Sequence, residues 1–144
     1  MSSSVNASGS TIIPGLRYRD AHAAIAWLVK AFGFTPQHVY DGPNNTVAHA
    51  QLTLGGGMVM LGSMTNGGHW ANLLVQPDEI AMRSTQAISI VVPDAAAVYA
   101  SAKAAGADIV QELAEMSYGG KSFGCRDLEG HLWAIGDYDP WASS

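Results

Sequence analysis

A single cysteine, Cys125, excludes an intramolecular disulfide framework, so the fold has to rest on a packed core, and such sparse cysteine usage fits a reducing compartment. Basic residues are scarce too. Seven Lys and Arg stand against twelve Asp and Glu, a net charge of −5 with no basic stripe, which would repel an extended phosphate backbone and excludes nucleic acid as an expected partner. No apolar run approaches the roughly 18 residues a membrane helix requires, so no membrane partner is expected. The opening MSSSVNASGS lacks both the basic start and the apolar stretch of a signal peptide. Residues 1–10 are therefore expected to form a flexible tail, and the protein to be cytoplasmic.

What the chain does have is a repeat. Asp20 to Gly33 (DAHAAIAWLVKAFG), followed by a hairpin at Gly55-Gly56-Gly57, is echoed by Asp94 to Gly106 (DAAAVYASAKAAG), followed by a hairpin at Leu128-Glu129-Gly130. Each copy reads as strand, helix and three strands over roughly 50 residues, and neither could bury its helix and sheet faces alone. The fold class expected is α+β: two βαβββ modules forming a concave mixed sheet with helices on the outer face. Module one is placed at 11–62, a connection at 63–84 and module two at 85–137, within one domain spanning 11–141; 48% hydrophobic residues suffice for its core.

The helices carry their own start and stop signals. Asp20 is an N-cap, Ala21, Ala24, Ile25, Leu28, Ala31 and Phe32 form one apolar stripe, and Gly33 supplies the left-handed stop. The second helix follows Pro93 and Asp94 and runs to Ala105. Strands are expected at 11–19, 34–40, 46–54, 58–61, 86–92, 108–112, 121–126 and 131–135, with Pro14 marking an edge or bulge in the first.

A two-residue turn at Gly55-Gly56 pairs Thr53 with Met58 and Gln51 with Met60, and sets His49 opposite Gly62. That puts His49, Gln51, Thr53, Met58 and Met60 on the concave face, with Ala50, Leu52, Leu54, Val59 and Leu61 behind them. Three polar groups among methionines suit the wall of a small-molecule site, although solvent exposure alone also explains such a face. Arg17 points inward by alternation, either to hold an anionic group or to pair with an acidic neighbour.

The segments YRDAHAAIAWLVKAFGF at 18–34, HAQLTLGGGMVML at 49–61 and FGCRDLEGHLWAIG at 123–136 together resemble the vicinal oxygen chelate superfamily, which includes glyoxalases, bleomycin-resistance proteins and extradiol dioxygenases. Within it the chain is similar to small glyoxalase-like members. The resemblance implies paired βαβββ modules, frequent dimers and, in catalytic members, a divalent metal held by His, Gln or Glu from the first and last strands of each module. Here the matching places are Ile13, Met60, Ala87 and Ala134, none of which offers imidazole, carboxylate or amide oxygen. No metal and no cofactor are therefore expected.

Matching the two modules puts Cys125 opposite Gln51 and Phe123 opposite His49, which would make Phe123 an aromatic wall of the cleft; Cys125 reads as a buried structural thiol more readily than a nucleophile. His131, in the turn beside Asp127, reads as structural. Trp133 and Trp27 read as core. Trp70, in the long connection with His69, is either a stacking lid or a dimer contact, and Tyr118 shares that ambiguity. The aromatic tail Asp137 to Trp141 is expected to dock.

Two functional readings follow. One is a metal-free protein that encloses a small organic ligand with Arg17, His49, Gln51, Thr53, Met58, Met60, Trp70, Phe123 and Cys125, acting as a homodimer. The other is a lyase, isomerase or dioxygenase acting on a small carbonyl or aromatic substrate, with His49 as general base or with a divalent metal bound by ligands that the matching misses.

Overall fold

The computed structural model describes residues 9–142; most of the expected 1–10 tail lies outside them. The chain divides into two compact units, one holding the described residues up to Val29 with Gly33–Gln76, the other Lys30–Phe32 with the described residues from Pro77 onward. Their boundary falls inside the expected 63–84 connection. Among the described residues no helix is long and apolar enough to cross a membrane.

Both expected modules are present. The first runs β1 (Gly15–Tyr18), α1 (Ala21–Phe32), β2 (Thr35–Asp41), β3 (Val47–Leu54) and β4 (Gly57–Ser63), and its sheet has the order β1-β4-β3-β2. After a connection carrying the one-turn α2 (Gly68–Ala71), the second runs β5 (Ile88–Val91), α3 (Ala95–Ala104), β6 (Asp108–Glu115), β7 (Lys121–Arg126) and β8 (Leu132–Gly136), ordered β5-β8-β7-β6. In each sheet the first strand lies parallel to the last and the other pairings are antiparallel, so each is mixed.

The local signals hold with small boundary changes. Asp20 accepts a hydrogen bond from the Ala23 amide at 3.1 Å, Asp94 accepts one from Ala97 at 3.2 Å, and Gly33 closes α1 at φ 88°. The first strand begins only at Gly15, because the ring of Pro14 removes the amide that would extend the ladder. Its carbonyl still accepts from the Met60 amide at 3.0 Å, and Ile12 is left 82% exposed. Strand β6 is longer than expected, reaching Glu115 through two irregular steps in its pairing with β7.

In the first sheet the buried face is Ala50, Leu52, Val59 and Leu61. In the second it is Phe123, Cys125, Trp133 and Ile135, against which α3 packs with Tyr99 edge-on to Phe123 at 5.1 Å between ring centres. Phe32 meets Trp133 at the same centre distance.

Candidate functional site

The first sheet presents an open face opposite its buried one, and the hairpin sets its contents. Thr53 pairs with Met58 and Gln51 with Met60, as the two-residue turn requires. Across β2, Tyr40 stands opposite His49 and His38 opposite Gln51; across β1, Gly15 stands beside Met60 and Arg17 beside Gly62. Arg17, His49, Gln51, Thr53, Met58 and Met60 thus share one face, as read from the sequence.

Aromatic stacking and an amide chain organise it. The rings of His38 and Tyr40 stack at 5.7 Å with 20° between planes, and Tyr40 stacks on His49 at 6.2 Å with 25°. His49 Nε2 lies 3.0 Å from Gln51 Oε1, and Gln51 Nε2 donates to Gln37 Oε1 at 2.7 Å. With the amides so oriented, Nε2 carries the proton and donates, leaving the Nδ1 lone pair as acceptor. No carboxylate enters this chain of hydrogen bonds. Arg17 lies across Gly62, where a Cβ would come within 2.6 Å of its Nη1, and donates from that nitrogen to the Ser63 carbonyl at 3.2 Å. The Thr53 hydroxyl is directed at the Thr35 carbonyl, 3.4 Å away.

Phe123 and Cys125 require a correction. Both are buried on the face shared with Trp133 and Ile135, because Cys125 pairs with Trp133 and Phe123 with Ile135. The module matching slipped by one residue: the β7–β8 hairpin closes with Arg126 opposite Leu132 around a five-residue turn, 127–131, instead of a two-residue one. Ser122 and Gly124 are the counterparts of His49 and Gln51. Burial first, then the nearby Asp127 and Asp108 carboxylates, push the Cys125 thiol up to about 12, so at neutral pH it is no nucleophile. Trp70 stands 63% exposed on α2 and makes no ring contact with the His49 group.

The turn itself is built on Asp127, which accepts from the amides of Glu129 and His131 at 3.0 Å each and from Trp133 Nε1 at 2.9 Å. His131 donates to Asp127 through its backbone amide.

The second sheet's open face carries a recess of about 210 Å³ that the sequence reading did not find. Ser89, Ser122, Ala134 and Gly136 line its floor; Met116, Tyr118, Tyr138 and Pro140 stand around it. Tyr118 and Tyr138 meet edge to face at 5.1 Å, so the tail docks through Tyr138, while Trp141 stays 90% exposed. The Gln37–His38–Tyr40 row was within reach of the alternation rule, had the pairing been carried from the hairpins to their neighbouring strands.

A family model, Glyoxalase/Bleomycin resistance protein/Dioxygenase superfamily, matches residues 11–135. The chain belongs to that superfamily. Among solved structures it is similar to TioX from Micromonospora sp. ML1, with 32% identity and a TM-score of 0.68 over 89% of this chain and 98% of that one. A bleomycin resistance determinant encoded on transposon Tn5 shares the fold at 18% identity, TM-score 0.63, over 90% and 98% of the two chains. So does the fosfomycin resistance protein FosX from Mesorhizobium loti, at 13% identity and TM-score 0.64 over 91% and 93%. A search of curated proteins returns no match.

The divalent metal that the superfamily implies can be tested against the donors present. Ile13 and Ala87 precede their strands, and the register sets Gly15 beside Met60 and Ser89 beside Ala134 at the open faces. None of the four supplies imidazole or carboxylate, and among the described residues no group of three or more His, Cys, Asp and Glu is placed to hold an ion. A lone thioether and a hydroxyl do not make a site for a hard or borderline cation. The donor set does not fit the metal.

Proposed function

We propose that this member of the glyoxalase superfamily is a metal-free binding protein that takes up a small, partly aromatic organic molecule on the open faces of its sheets. The observation that carries the reading is the stacked His38–Tyr40–His49 row, whose polar edge is held by a chain of amides. A flat ring gains by covering such a row, and the fixed donors and acceptors orient it. The two methionines beside it adapt to ligand shape. As a binding protein it acts as a homodimer, in which the exposed Trp70, Leu73, Leu74 and Val75 are covered.

The enzymatic reading keeps one specific support: Nδ1 of His49 is left to accept a proton by the same hydrogen bond that ties up Nε2. A metal-dependent version of it is tested separately, against the metal-free assignment. Elemental analysis of dialysed protein should find only substoichiometric metal, because the donor positions are apolar or hydroxylic. A stoichiometric Zn, Ni, Mn or Fe content that survives chelator would contradict the metal-free assignment.

A further inference from the structure

The two open faces differ in depth. At equivalent register positions the first sheet carries His49 and Met60 where the second carries Ser122 and Ala134, so the second is hollow where the first is filled. We infer that this hollow is a subsite for a flat, bicyclic aromatic ring that carries no positive charge. The inference rests on the small-molecule reading above and names the ring the second unit takes.

Size sets the first limit. An apolar cavity of about 150 Å³ accepts a benzene, whereas pockets for whole drug-sized ligands run from about 300 Å³ upward. A recess of about 210 Å³ lies between them and suits one fused ring pair. Flatness follows from the walls. Tyr118 and Tyr138 are 60% and 42% exposed, so their rings retain surface for a ligand, and their edge-to-face packing holds the two planes at 75° to each other.

Charge sets the last limit. Lys121 is the one charged residue among those lining the recess, and its cross-strand partner is Glu115. The neighbouring Asp137 has its two oxygens on the backbone amides of Lys121, at 2.7 Å, and Ala95, at 3.1 Å. A cationic ligand would meet Lys121 here, while the hydroxyls of Ser89 and Ser122 on the floor suit a single polar ring substituent.

The test uses 2-naphthol and its saturated counterpart, decahydro-2-naphthol, titrated into the full-length protein with amide shifts followed by NMR. Saturable shifts at Ser89, Ser122, Tyr118 and Tyr138 are expected. Decahydro-2-naphthol should bind about five-fold more weakly, for loss of the aromatic contacts. Ala134→Phe fills the floor from an exposed position and should cost at least roughly ten-fold in affinity, and Tyr118→Leu should weaken binding while Tyr118→Phe preserves it. Equal binding of the saturated compound, undiminished binding by Ala134→Phe, or no binding of 2-naphthol would each overturn the ring subsite. Shifts that map instead to Tyr40 and His49 would overturn it too, while leaving the small-molecule reading standing.

Discussion

Replacing Trp133 with alanine is expected to lower stability by about 3–5 kcal/mol. The indole is 1% exposed, packs against Phe32 and donates Nε1 to Asp127 Oδ2 at 2.9 Å. Its removal opens a large cavity between β8 and the residues packed on it. It also strips a hydrogen bond from a carboxylate that is itself only 7% exposed, and a buried acceptor deprived of its donor costs about 1–3 kcal/mol on its own. Trp133→Phe should recover most of the packing but not the Asp127 bond, so it should fall between the two. Urea denaturation of the three proteins checks the order. A loss under about 1 kcal/mol for the alanine variant would mean that the ring is not a core element.

Gly120→Val should disturb the aromatic wall of the second unit without touching either of its rings. Gly120 sits at φ 71°, where a β-branched residue is strained by about 1–3 kcal/mol. A Cβ there would stand 2.6 Å from Asp137 Oδ1 and 2.9 Å from the Tyr138 amide, so it would also dislodge the carboxylate that clamps the turn to the start of α3. The Tyr118–Tyr138 contact should then be lost, visible as a collapse of their ring-current-shifted NMR signals, together with a lower melting temperature. Unchanged tyrosine signals would refute the clamp.

The clamp has a pH signature with a definite sign. The Lys121 amide foremost, then that of Ala95, holds the Asp137 carboxyl below the usual carboxylate range. A carboxyl lowered in the folded state contributes stability above its unfolded pKa, and the contribution is lost as pH falls through the lowered value. The tyrosine signals should therefore persist through the ordinary carboxylate range and change only below it.

How much of this was legible in the sequence depended on the turn chemistry. The Gly55-Gly56 turn has one common hairpin geometry, so the faces of Gln51, Thr53, Met58 and Met60 followed directly from counting. The β7–β8 turn is five residues long and held by Asp127 through backbone and indole donors, which no glycine count reveals. Phe123 and Cys125 were accordingly placed on the wrong face. The caps at Asp20 and Asp94 and the stop at Gly33 were readable because each is a local bond or dihedral. The recess was not, because it arises from what is small at Ser122, Ala134 and Gly136 and from the return of Tyr138 to Tyr118 across a turn.

Binding without chemistry at His49 is tested most directly by a paired assay of wild type and His49→Gln. Gln keeps size and hydrogen bonding but cannot take a proton near neutral pH. A panel of small aromatic and carbonyl compounds would be titrated by calorimetry, and each bound compound recovered for product analysis. Unaltered ligand is predicted from both proteins, with affinity changed only by about one hydrogen bond, roughly 0.5–1.5 kcal/mol. A chemically altered compound recovered from wild type but not from His49→Gln would contradict the account.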